Sequence, residues 1–147
     1  MKILFKIIFF SILIFSCEKN PTSTNTSLGK ISITTDNNFY TQSDSLLIFI
    51  NNKSGHDIIL GYRCSYQNLE MYFQKKENDT WSENQWFGYM SLKCMTILKK
   101  INEDKTIKHS ILASEFKTIG TFRLVVPCHI PEKDTTIVAI SNVFEIK

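Results

Sequence analysis

Apolar and polar residues alternate along most of the chain after residue 30, and a period of two predicts β-strands. The clearest stretch is 120–126, where Phe122, Leu124 and Val126 share one face and Thr121, Arg123 and Val125 the other. Gly120 opens this strand, and Pro127 is expected to end it, because proline has no N–H for a ladder. Residues 31–35 form a first strand with Ile31 and Ile33 on one face, and Asp36, Asn37 and Asn38 turn the chain. Residues 45–51 are apolar on both faces, Leu46, Ile48 and Ile50 against Leu47 and Phe49, which predicts an interior strand. A turn at 52–55 follows, with Gly55 as its positive-φ residue, then a strand over 57–63. Residues 69–76 alternate again, with Leu69, Met71 and Phe73 inward and Glu70, Tyr72 and Gln74 outward. A polar turn at 77–80 then reverses the chain, and Trp81 starts the return.

The alternation weakens from 82 to 93. It resumes at 106–112, with Ile107 and Ile111 on one face, and residues 115–119 lead into the strand at 120. A last strand spans 136–146, with Ser141 and Asn142 read as a bulge. No helical period exceeds two turns. Seven to eight short strands within 29–147 predict one all-β domain, an immunoglobulin-like antiparallel β-sandwich.

The N-terminus has a different pattern. Lys2 and Lys6 precede an apolar run over 7–15, broken only by Ser11 and too short to span a bilayer. Leu13, Ile14, Phe15 and Ser16 lead into Cys17, and this run resembles the lipobox of bacterial lipoproteins, in the loose form of the Bacteroidota. The resemblance implies a signal peptide over 1–16 and a lipidated Cys17 that becomes the first mature residue. Two or three acyl chains anchor a protein stably, where one does so only marginally. Residues 18–27 are polar and read as a flexible tether holding the domain roughly 15–20 Å from the membrane. The domain boundaries are therefore 1–16, 17–28 and 29–147. The resemblance places the protein in the cell envelope, at the outer membrane, with the leaflet open.

Charge removes one class of partner. The chain has 17 basic and 14 acidic side chains; without Lys2 and Lys6 the count is 15 against 14, or +1. That balance offers no electrostatic footprint for nucleic acid.

Besides Cys17, the cysteines are Cys64, Cys94 and Cys128, which allow three single pairings in an oxidising compartment. Following the strand directions, Cys64 and Cys94 fall at one pole of the sandwich and Cys128 at the other. A Cys64–Cys94 disulfide is therefore favoured, with Cys128 left as a buried thiol. His56, His109 and His129 are scattered and read as surface residues. No ligand spacing indicates a metal, and nothing in the sequence calls for a cofactor. No nucleophile, base and orienting group stand in a recognisable arrangement, so the expectation is a non-enzymatic protein.

Trp86, Phe87, Tyr89 and Met90 form the one segment whose composition suits a partner, since aromatics and Met are enriched at interface hot spots. The competing account is that this loop folds over one end of the sandwich and buries them.

The strand ends also carry a resemblance. Phe39-Tyr40, the run 46–50 into Asn51-Asn52, Trp81 after a polar turn, Gly120-Thr121-Phe122-Arg123, and the close at 141–146 together look like the small Ig-like domains of Bacteroidota lipoproteins. They are similar, more loosely, to the BsuPI-type intracellular proteinase inhibitor domain. Those domains usually have Tyr where this chain has Phe122, so a buried tyrosine hydroxyl is not available there. Those lipoprotein domains have no known role; with the anchor and the aromatic segment, the expected function is a membrane-anchored binding or accessory module recognising protein or glycan, and the looser resemblance implies a proteinase-inhibitor-like domain as the alternative.

Overall fold

The structure is a computed structural model and describes residues 31–147. The expected signal segment, Cys17 and the tether lie outside the described residues. Twelve strands follow in order: β1 (Ile31–Thr35), β2 (Phe39–Tyr40), β3 (Ser45–Asn52), β4 (Ile58–Arg63), β5 (Tyr72–Glu77), β6 (Thr80–Trp81), β7 (Gln85–Trp86), β8 (Thr96–Ile101), β9 (Thr106–Leu112), β10 (Gly120–Ile130), β11 (Thr135–Ile140) and β12 (Phe144–Ile146). Eight of them are five residues or longer. The rest are short pairings of the kind that hydrophobic alternation cannot register.

The chain folds as an all-β, immunoglobulin-like sandwich. A smaller sheet has the order β1-β3-β9, and a larger one runs β2-β12-β10-β4-β8, with β11, β5, β6 and β7 joined alongside. All pairings are antiparallel except the short β2–β12 pair. Leu46, Ile48 and Ile50 of β3 face Phe122, Leu124 and Val126 of β10 across a core in which all six are fully buried. Phe73, Phe87, Phe116, Phe122 and Phe144 form an aromatic cluster at one end, with neighbouring ring centroids 4.9–6.2 Å apart. Edge and tilted contacts of this kind add to the area that aromatic rings bury.

The organising strand is β10, and it does not stop at Pro127. It pairs with β5 over 122–125, touches β4 at His129, and pairs with β12 and then β11 on its other side. Leu124 exchanges hydrogen bonds with Ser141 on the β11–β12 side. Bonding direction alternates along a strand, so Val126 and Cys128 also bond toward β11 and Pro127 bonds the opposite way. That way lies the gap between the end of β5 at Val125 and the first contact with β4 at His129. The missing N–H of Pro127 therefore falls where no ladder bond is needed.

One strand is added and two expectations change. Strand β8 has no clear alternation, because it is the edge of the larger sheet and only Ile101 is fully buried. Residues 141–142 separate β11 from β12 rather than bulging within one strand. Residues 113–116 make a 3-10 turn that buries Ala113 and Phe116. The tyrosine hydroxyl absent at Phe122 has a counterpart at Tyr40, which is buried and donates to Asp36 Oδ1 at 2.7 Å.

Candidate binding surface

Residues on the outer face of the larger sheet follow from the register. Partners across a ladder point to the same face. Trp86 pairs with Tyr72, Tyr72 with Val125, and Val125 with Ile140, which makes one row across four strands. Pro127 pairs with Val138, and Leu98 with Gly61, which makes a second row interrupted by the gap. Trp86, Leu98, Val138 and Ile140 are 62%, 66%, 59% and 48% exposed. Val125 is buried yet stands apart from the core, since its outer-face neighbours cover it. No element of the described residues packs over these rows.

Beside the apolar rows lies an ordered polar strip. Arg123 Nε donates to Gln74 Oε1 at 2.7 Å, and Gln74 Nε2 donates to Asn84 Oδ1 at 3.0 Å. The Arg123 guanidinium lies 4.2 Å from the centre of the Trp81 ring, a cation–π contact. Trp86 meets Tyr72 edge to face at 5.4 Å. These contacts fix side chains on an open face, so a ligand there would find them already oriented.

Where the sheet splits between β4 and β10, a cleft of about 390 Å³ opens on the same face. Ile59, Leu98 and Pro127 give it apolar walls, and His129 and Thr136 close one side. Gly61 lies beneath the Glu70 carboxylate, and a Cβ at that position would overlap it. The ion pairs among the described residues involve other side chains, so Glu70 has no cationic partner there. Burial, with a smaller contribution from the nearby Glu70 carboxylate, pushes the Tyr72 hydroxyl above its ordinary value.

The aromatic segment divides. Trp86 is on the outer face, but Phe87 and Met90 are buried and Tyr89 is half-buried. This corrects the four-residue partner surface. Gly88–Ser91 is a single 3-10 turn, and residues three apart on such a turn share a side. Phe87 and Met90 thus enter the core together, and the Tyr89 hydroxyl donates to the Leu69 carbonyl at 2.7 Å. Burial, helped by the Glu115 carboxylate, pushes that hydroxyl far up. The shared aromatic and Met character of 86–90 in the sequence hid this split.

Cys64 and Cys94 form a disulfide with Cα atoms 5.2 Å apart, tying the end of β4 to the loop after this turn. Arg63 reinforces the tie by donating to the Leu92 carbonyl at 2.6 Å and to Thr96 Oγ1 at 3.1 Å. Cys128 is a free, buried thiol whose pKa burial pushes up to about 12, so it is not a nucleophile.

His109 is buried rather than on the surface, because it points inward from β9 between Lys108 and Ser110. Burial lowers its pKa to about 4, with no carboxylate partner to oppose the shift. It lines a small notch of about 170 Å³ with Gln67, Asn68, Tyr89 and Glu115. His56 is paired with Glu132. Among the described residues, no three His, Cys, Asp or Glu side chains are grouped to hold a metal ion.

No protein-family model matches the chain, and no curated protein matches it in sequence.

Proposed function

We propose that this protein is a non-enzymatic envelope lipoprotein, anchored at the outer membrane through Cys17. Its sandwich domain is a binding or accessory module for protein or glycan. The observation that carries this reading is the uncovered outer face of the larger sheet, where Trp86, Tyr72 and the Arg123–Gln74–Asn84 strip are held in one arrangement. Aromatics and Arg in fixed positions are the groups that dominate binding energy at interfaces. The lipobox resemblance at 13–17 supplies the anchor.

The test has two arms. Cys17→Ala should release the protein from the membrane fraction and abolish acyl labelling; a mutant still labelled and still sedimenting with membranes refutes the anchor. A photo-crosslinking residue at Trp86 should capture an envelope component, whereas one at Lys108, on the other sheet, should not. Equal capture from both positions refutes the binding face. Inhibition of added proteases by the detergent-solubilised chain would favour the inhibitor alternative instead.

A further inference from the structure

We infer that the Glu70 cleft is a docking point for a basic side chain, lysine or arginine, of a peptide partner lying across the outer sheet face. This rests on the binding-module reading and names the chemistry that the face selects.

The cleft combines three features. First, Glu70 brings a carboxylate to a cleft whose main walls are apolar, Ile59, Leu98 and Pro127, with His129 and Thr136 on one side. Second, cations on the same sheet face bond to other groups: Lys100 to Asp57 at 2.6 Å, the Arg63 Nη atoms to Leu92 and Thr96, and Arg123 to Gln74. Glu70 is therefore a negative charge with a vacant complement among the described residues. Third, the fold makes room for this carboxylate. Gly61 has no side chain to push it away, and the Glu70 N–H donates to the Gly61 carbonyl at 2.8 Å, which holds the residue over the gap.

These features fit an ammonium or guanidinium on an aliphatic stem. Long basic side chains lay their methylenes on apolar surface and keep the charge at its edge. A stem along Leu98 and Pro127 would bring its charge to Glu70. A charge-assisted hydrogen bond is about twice as strong as a neutral one, and it gains further where apolar walls exclude water. From Glu70, a peptide backbone can run past Tyr72 to Trp86, since Tyr72 is two residues along and Trp86 is its ladder partner. That path places the aromatic pair under the neighbouring residues of the same peptide. A neutral or acidic peptide would leave Glu70 unpaired beneath it, so the site discriminates by charge.

The test uses the full chain in detergent micelles and follows backbone amides by NMR. The probes are acetyl-Ala-Lys-Ala-amide, its arginine analogue, and a norleucine analogue that keeps the stem without the charge. Saturable shifts are expected at Gly61, Glu70, Leu98 and His129 with both basic probes, and about tenfold weaker binding with norleucine. Glu70→Gln should weaken the lysine probe about tenfold while leaving amides of the smaller sheet in place. Gly61→Ala keeps the charge but displaces it, and should weaken the probe as well. Absence of saturable shifts, equal binding of the norleucine probe, or unchanged affinity in Glu70→Gln overturns the inference. Capture at Trp86 in the envelope is read separately, so failure of the cleft and failure of the binding face are distinguishable.

Discussion

Ser141 and Leu124 bond to each other twice. The Ser141 N–H donates to the Leu124 carbonyl at 3.0 Å, and the Leu124 N–H donates to the Ser141 hydroxyl at 2.8 Å. A side chain thus supplies the acceptor at the point where β11 gives way to β12. Ser141→Ala should leave the buried Leu124 N–H without that acceptor and cost about 1–3 kcal/mol. Urea melts of the wild-type and variant chains measure this; an unchanged midpoint would mean that another acceptor takes over.

Leu124→Ala removes a fully buried side chain from the middle of β10. It should cost about 2–5 kcal/mol, the range for large-to-small changes in a packed core. A loss below about half a kcal/mol in the same melts would be incompatible with the core position of β10.

Much of this fold is legible in the sequence, for a physical reason. In β3, β4 and β10 one face is buried and the other is less so, and hydrophobicity records that difference. In β8 the record fails: Thr96, Leu98, Lys99 and Lys100 are all exposed, since an edge strand has little core to face. Pro127 misleads because its effect depends on which way its N–H would point, and that is decided by strands distant in sequence. The proposed binding face is hidden for a similar cause. Its residues come from β4, β5, β7, β8, β10 and β11, and only the register brings them together. Residue type alone does not separate Trp86, which is exposed, from Phe87 and Met90, which turn into the core.

His109 should make stability pH-dependent. Its folded pKa, near 4, lies below the ordinary 6.5, so the unfolded chain takes up its proton first as pH falls. The stabilisation is fully present above pH 6.5 and is lost progressively toward pH 4, a change on the order of 2–3 kcal/mol. His109→Gln should flatten this part of the profile. The measurement is the difference between wild-type and variant urea midpoints across pH 4–7, and parallel profiles would rule His109 out as the cause.

The two tryptophans should report different environments. Trp86 is 62% exposed, whereas Trp81 is half-buried with Arg123 over its ring. Acrylamide should quench the Trp81→Phe variant, which keeps Trp86, more strongly than the Trp86→Phe variant. The reverse order would place the exposed indole on the wrong strand.

Peptide mapping without reductant should recover a fragment pair joining Cys64 to Cys94. Replacing both with Ala should cost about 3–4 kcal/mol, as expected for releasing a 30-residue loop. Loss of the pair from the map, or stability equal to wild type, would contradict the staple.

Strand β8 leaves one margin of the larger sheet unpaired, and unpaired margins are templates on which further chains can add. Lys99 and Lys100 follow each other on that margin and point to opposite faces, both exposed. Two copies meeting edge to edge through β8 would set lysines of both copies against each other on either face of the joint, with Asp57 offsetting only Lys100. Crowding many copies onto one surface, as an anchor would, raises the frequency of such meetings without making them productive. Charged side chains on both faces of an edge strand disfavour that pairing, so this margin is a poor template for a second copy.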